Sequence, residues 1–252
     1  TEFMKIRILI LLFFPFMAMG QGKLDSLREK LVKDNTYEYV YYFENNYAVF
    51  RTFDEKMGLL VSAGNVIIKP IFSSIRNRKE LVNLFEVGNK INNKFKRGFV
   101  DVKGNIIIPM MYDDVYYVGK ELIRVTLNNK YGVLDTVNRV ILPAIYDYVS
   151  FDNDIIIAGL NGVRSLYDDT GKQISNLQFT AISRFHDNRA IITNEDKSTS
   201  IIDHHGNIIL EPMDGFSFER VLNDSLVLIK NALNSKVGIV NAKGEFAISC
   251  NY

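Results

Sequence analysis

A thirteen-residue pattern recurs along this chain, and it limits the fold more than any other feature. Arg97 to Pro109 reads RGFVDVKGNIIIP, and Tyr131 to Pro143 reads YGVLDTVNRVILP. Gly98 and Gly132, Asp101 and Asp135, Gly104 and Asn138, and Pro109 and Pro143 fall at the same offsets. A third copy runs from Met57-Gly58 through Gly64 to Pro70, and a fourth from Gly238 through Asn241 and Gly244 to Ser249. Two weaker copies carry serine in the first glycine column. One passes through Asp168 and Gly171, the other through Asp203 and Gly206 to Pro212. The turn column therefore falls at 64, 104, 138, 171, 206 and 244, with spacings between 33 and 40 residues. Fixed-period self-similarity of this kind marks a repeat architecture.

Each column has a physical reason. β-branched residues on both sides of a tight turn read as a hairpin. Gly104 and its equivalents, or Asn138, supply positive φ at the turn. The Asp three residues earlier can bond the turn's own amides. The first Gly suits close approach of a neighbouring strand, and the Pro is expected to end the second strand. An apolar run precedes most hairpins, as at Tyr47 to Phe50 and Leu122 to Val125, and an aromatic run follows, as at Tyr112 to Val118. The expected fold is therefore all-β: about six repeats of a three- to four-stranded antiparallel meander. Two arrangements are open, a β-propeller-like ring and an open β-repeat solenoid. The phase favours the ring. The last copy stops at Tyr252 before its aromatic strand, and Tyr37 to Phe43 resembles the absent piece.

Met4 reads as the natural start, with Thr1 to Phe3 as vector-derived residues. Lys5 and Arg7, the apolar run Ile8 to Met19 and the triplet Ala18-Met19-Gly20 make the three parts of a secretory signal. Residues 1–20 are read as that leader, 21–36 as a short helix and linker, and 37–252 as the repeat domain. The apolar run is shorter than a membrane span requires, so no transmembrane segment is expected after cleavage. The chain is expected to be exported, whether periplasmic, cell-surface or secreted. Leu24, Leu27 and Leu31 share one helical face, which suits a helix capping the β array.

Charge is nearly balanced, with 30 basic and 29 acidic residues. That argues against a nucleic-acid ligand. The single cysteine, Cys250, excludes an intramolecular disulfide and reads as a buried small apolar residue.

The pattern Lys-x-Gly-x-x-Asp-x-x-Gly-x-x-x-x-Pro-x-x-Tyr-Asp, best kept from Lys96 to Asp113 and from Lys130 to Asp147, resembles the WG-repeat family, named for a Trp-Gly pair. The resemblance extends from about Tyr37 to Tyr252. This chain contains no tryptophan; the Trp column holds Met57, Arg97, Tyr131, Arg164, Thr199 and Val237. The resemblance implies an interaction or binding array in a bacterial protein.

Candidate catalytic groups are absorbed by the repeat. His204 and His205 stand where other copies have Val102-Lys103 and Ala242-Lys243, between the Asp and Gly of a turn. Asp168 and Asp113 belong to recurring columns, and His186 is isolated. No nucleophile elbow, phosphate loop, paired Cys-x-x-Cys or His-Glu-x-x-His appears. The reading is therefore no catalytic, metal or cofactor site. Tyr41, Tyr42, Tyr116 and Tyr117 could stack on sugars where exposed. Asn89 to Lys96 reads as a solvated connector. The expected function is non-enzymatic protein or glycan binding in a bacterial envelope, through loops at one end of the array. The alternatives are a carbohydrate-active propeller enzyme and a purely structural envelope component.

Overall fold

A computed structural model describes residues 21–78 and 80–251. The expected leader at residues 1–20 lies outside the described residues. Helix α1 spans Gln21–Lys33. Among the described residues the strands that follow form six antiparallel sheets in chain order. Sheet 1 is built from Tyr39–Val40, Tyr47–Arg51, Met57–Val61 and Val66–Phe72. Sheet 2 takes Ser74–Asn77, Leu84–Ile91, Lys94–Asp101 and Ile106–Tyr112. Sheet 3 takes Asp114–Gly119, Leu122–Leu127, Lys130–Asp135 and Val140–Tyr146. Sheet 4 has three strands, Tyr148–Asp152, Ile155–Leu160 and Val163–Tyr167. Sheet 5 takes Ala181–Ile182, Arg189–Thr193, Thr199–Asp203 and Ile208–Leu210. Sheet 6 takes Phe216–Asn223, Leu226–Asn231, Val237–Asn241 and Phe246–Ile248.

The second and third strands of most sheets bury consecutive residues on both faces, as Ala48 to Phe50 and Gly58 to Leu60 do in sheet 1. Such a strand must be covered twice, and stacking does this. Phe99 and Ile108 of sheet 2 pack on Val115, Ile123 and Leu134 of sheet 3. Equivalent clusters fill the junctions between sheets 1 and 2, 3 and 4, 4 and 5, and 5 and 6. Each fully buried Phe or Ile contributes roughly 2 kcal/mol. The free face of sheet 1 (Val40, Ala48, Phe50, Leu60) is covered by Leu31 and Val32 of α1. The free face of sheet 6 leaves Phe246 and Ile248 about half exposed, at 47% and 46%.

The expected ring, closed by the N-terminal strand, does not form. Tyr39–Val40 pairs inside sheet 1, with Tyr39 opposite Arg51, and sheet 6 has four strands of its own. The close contacts between sheets join consecutive sheets. The array is the open alternative. The aromatic run begins sheets 1, 3 and 4 rather than ending the sheets before them.

The columns find their reasons in the fourth strand. Arg97 lies opposite Tyr112 and Phe99 opposite Ile108, so the fourth strand carries two extra residues across from Gly98. A Cβ on Gly98 would sit 2.3 Å from the Ile108 carbonyl oxygen. The same bulge faces Gly58 and Gly132. Pro109 and Pro143 lie within it, inside their strands rather than at the ends. This corrects the expectation that the Pro ends pairing: an edge strand at a bulge needs no donor from that residue. Asn89 to Lys96 is likewise no connector. Asn92 and Asn93 have φ of 48° and 62°, which suits a two-residue turn with both residues positive, and the flanking strands run up to them.

At the other hairpin, Asp101 Oδ1 accepts from the amides of Lys103 and Asn105, both at 2.8 Å. Asp135, Asp168 and Asp203 make the same pair of bonds. Asn241 does so in sheet 6, at 2.9 and 3.0 Å. The Tyr-Asp column works between repeats. Asp113 accepts from Lys96 Nζ at 2.5 Å and from the Asn128 amide at 2.7 Å, tying sheet 2 to the tip of sheet 3. Asp147 does the same with Lys130 and the Asn161 amide. Burial opposes ionisation of Asp101, Asp168 and Asp203, but their hydrogen-bond donors outweigh it and hold all three carboxyls below the usual range. The Lys96 bond lowers Asp113, and the Lys130 bond lowers Asp147.

Two outcomes are expected. Gly98→Ala or Gly132→Ala should cost about 1–3 kcal/mol in denaturant unfolding, because backbone must move to admit the methyl. Gly22→Ala, with no atom within 4 Å of its added Cβ, should leave stability unchanged or raise it. A carboxyl whose folded pKa is depressed stabilises the fold above its unfolded value, near 4, and loses that contribution as pH falls through the folded value. The melting temperature should therefore hold from pH 7 to about 5 and fall below about 4. Asp203→Asn should blunt the fall, since Asn241 shows that asparagine closes the same turn.

Candidate binding site

The first strand of every sheet lies at a sheet edge. Alternate residues along it enter the core, as Val40, Ile75, Val115 and Val149 do. Their neighbours are therefore presented outward. In sheet 1 these are Tyr39 and Tyr41, followed by Tyr42, which is 61% exposed. In sheet 2 the place is taken by Arg76, in sheet 3 by Tyr116 and in sheet 4 by Tyr148.

Arginines lie against these rings. The Arg28 guanidinium of α1 is 4.0 Å from the Tyr42 ring centre. Tyr41, Tyr42 and Tyr47 share a cleft of about 420 Å³ with Arg76, Asn77 and Arg78 of sheet 2. Arg78 reaches on to Tyr116 of sheet 3, at 5.5 Å. Arg124 lies 5.6 Å from Tyr116 and 5.4 Å from Tyr131. Arg164 stacks on Tyr148 at 4.1 Å. A tyrosine–arginine strip thus runs unbroken from α1 across sheets 1 to 3, and the Arg164–Tyr148 pair repeats the arrangement in sheet 4.

Glu86 anchors the strip. It is fully buried, on the second strand of sheet 2, in a column where the other repeats place Val49, Arg124, Ile157 and Ile191. Its carboxylate takes Arg78 Nη2 at 2.6 Å, Arg97 Nη1 at 3.1 Å and Arg76 Nη1 at 3.4 Å. Arg97 also meets Asp114 at 3.3 Å. Arg124 and Arg164 have no carboxylate within ion-pair reach among the described residues. The sequence reading passed over Glu86 because it interrupts the apolar run Leu84 to Val87. A charged residue within an apolar column was the available signal.

The other sequence candidates lie apart from the strip. Asp101, Asp135, Asp168 and Asp203 close turns, and Gly64, Gly104, Gly171, Gly206 and Gly244 hold positive φ there. Gly238 belongs with the bulge glycines: its Cβ would meet the Ile248 carbonyl at 2.6 Å. His204 stacks on Phe185 at 4.2 Å, and its Nδ1 meets the Asn188 carboxamide oxygen. His204, His205, Asp168 and Lys172 line an open polar hollow of about 780 Å³ beside sheet 4. No cluster of three or more metal-ligating side chains occurs among the described residues. The His186 ring meets its exposed neighbour Asp187. Cys250 is half-buried against the core of sheets 5 and 6. No described helix is long and apolar enough to cross a membrane.

These features define a β-repeat array with a side-chain strip laid across consecutive units. Residues 98–131, 131–163 and 165–197 match the model of the WG containing repeat, the family whose pattern the sequence resembles. A search of curated proteins finds no match. Among solved structures, BamB from Moraxella catarrhalis is similar at 15% identity, over 82% of this chain and 71% of that one, with a TM-score of 0.34. The computationally designed Ika8 protein is similar at 12% identity, over 84% and 73%, with a TM-score of 0.31. PorZ of Porphyromonas gingivalis, a surface component of the type-IX secretion system, is similar at 12% identity, over 86% of this chain and 32% of PorZ, with a TM-score of 0.33. Scores this low carry no argument about fold or function.

Removing the anchor tests the strip's construction. Glu86→Ala should cost about 2 kcal/mol in denaturant unfolding, below the loss for a fully buried pair because Arg76 and Arg78 retain solvent access. Arg76→Ala, with its side chain 56% exposed, should cost less than about 1 kcal/mol.

Proposed function

We propose that this chain is an exported, non-enzymatic binding module of a bacterial envelope, and that the tyrosine–arginine strip is its ligand-contacting surface. The observation that carries the proposal is the strip itself: exposed rings on the first strands of sheets 1, 3 and 4, with guanidiniums beside them, lie outside the core and the turns. A surface of aromatic rings and arginines is what interfaces use to anchor a partner. Export is supported by Lys5, Arg7, the apolar run Ile8 to Met19 and Ala18-Met19-Gly20. The carbohydrate-active enzyme is the weaker reading, because the acids that stand out are engaged in turns and repeat junctions rather than converging on one cleft. This reading puts the surface along the sheet edges, where the sequence alone pointed to loops at one end of the array.

The test is binding of the mature chain, residues 21–252, to isolated envelope polysaccharides and to envelope proteins. The triple variant Tyr41→Ala, Tyr116→Ala, Tyr148→Ala should keep its circular dichroism and melting curve and lose at least tenfold in affinity, about 1.4 kcal/mol. Undiminished binding by the triple variant would refute the site. Release of reducing ends from any polysaccharide would refute the non-enzymatic reading.

A further inference from the structure

We propose that the ligand of this strip is a polysaccharide carrying oxyanions, carboxylate or phosphate, that lies across successive repeats; the proposal rests on the binding-module reading above. Three observations lead to it. The first is charge. Arg28, Arg76, Arg78, Arg97, Arg124 and Arg164 lie along the strip; Glu86 and Asp114 pair with Arg76, Arg78 and Arg97, and Glu44 also lines the cleft between sheets 1 and 2. Glu86 is fully buried and unavailable to a ligand. The chain as a whole is near neutral, so this excess of positive charge is local.

The second is geometry. Arg124 rests between the rings of Tyr116 and Tyr131, and Arg164 rests on Tyr148. A guanidinium drawn over a ring face keeps the N–H groups that point away from the ring free to donate. Those edges are the fork that takes a carboxylate or phosphate in two parallel hydrogen bonds. Among the described residues no carboxylate pairs with either guanidinium, which leaves the fork open to a ligand's oxyanion.

The third is direction. Consecutive sheets pack about 10 Å apart, so the strip offers an anchor at each such step, crossing the strands rather than following one. A peptide on a free sheet edge runs along one strand and is held by its main chain. A ligand crossing several edges gains no such ladder. It is read by stacking on ring faces and by forked bonds, which suits sugar rings bearing charged groups. Tyr41 and Tyr42, exposed at the cleft between sheets 1 and 2, supply the stacking faces. Arg76, Arg78, Arg124 and Arg164 supply the forks.

The experiment compares polymers that separate charge from sugar. The mature chain is titrated with polygalacturonate, with its fully methyl-esterified form, with phosphorylated and unmodified dextran, and with poly-L-glutamate. The expected result is binding of polygalacturonate or phosphorylated dextran at least tenfold tighter than its uncharged counterpart; whichever binds identifies carboxylate or phosphate as the oxyanion. That binding should weaken severalfold as salt rises from about 0.05 to 0.5 M, as screening requires. The double variant Arg124→Gln, Arg164→Gln should lose roughly tenfold or more, since each charged hydrogen bond is of that order. Its melting curve should be unchanged, because neither arginine pairs with a carboxylate.

Equal affinity for charged and uncharged polymers overturns the oxyanion proposal and leaves the binding-module reading standing. Poly-L-glutamate binding as tightly as the best polysaccharide overturns the glycan. Failure to bind any of these polymers overturns the proposal even where an envelope protein binds the wild-type chain but not the tyrosine triple variant, a result that preserves the earlier reading. If neither polymer nor envelope protein binds, both fall.

Discussion

Most repeats of this chain have the same difficulty: their middle strands bury residues on both faces, and one sheet can cover neither alone. Stacking is the only remedy within the chain, and the five inter-sheet clusters are that remedy repeated. Stability is then a sum of neighbour terms rather than one global core. This explains why the repeats tolerate so much substitution. A sheet need only present apolar residues of suitable bulk to the next, and sheet 4 keeps its place with three strands because Phe179 supplies the missing apolar volume in its junction.

Close packing of sheets leaves polar problems at the corners, and the recurring Asp columns solve them. One carboxylate closes the turn within a repeat; another bonds the tip of the next repeat. The bulge over Gly98, Gly132 and Gly58 does a related task. It gives the fourth strand length to cross the third and turn toward the next sheet, at the cost of leaving no room for a Cβ. The two ends of the array then differ. Sheet 1 is shielded by α1, whereas sheet 6 keeps half-exposed Phe246 and Ile248 on its outer face.

The framework was legible because each column answers a local demand. Positive φ, an amide to satisfy and a close approach each leave a fixed residue type at a fixed offset. What was misread depended on non-local facts. The aromatic run was assigned to the end of the repeat because it follows the hairpin in sequence; its pairing partner, the following apolar run, makes it the start of the next sheet. That one-strand error of phase produced the ring. Pro109 was read as a terminator because the bulge around it exists only relative to Gly98 on the neighbouring strand. Asn89 to Lys96 looked like a loop because its composition is polar, yet both strands continue to the Asn92-Asn93 turn and protrude beyond the core. Glu86 was missed because its partners, Arg76, Arg78 and Arg97, are brought to it by three different strands or turns.

The absent tryptophan bears most directly on function. At the sequence level its loss seemed to remove the family's distinguishing surface and to leave binding to the loops. In the fold, three of the residues in that column, Arg97, Tyr131 and Arg164, sit in the strip: Arg97 on Glu86 and Asp114, Tyr131 beneath Arg124, Arg164 on Tyr148. The column lies on the third strand; there Met57 and Tyr131 pack partly against the junction clusters, while Arg97 and Arg164 reach Glu86 and Tyr148. An apolar ring there can offer only a face. A guanidinium on a tyrosine offers a face and a charge together, and the pairing fixes the orientation of both. Two of the six residues in this column are arginines, which bring charge to that surface while the Gly, Asp and Pro columns hold the backbone in place. That separation of surface from framework is what a repeat architecture permits, because a residue outside the junction clusters carries none of the stacking free energy.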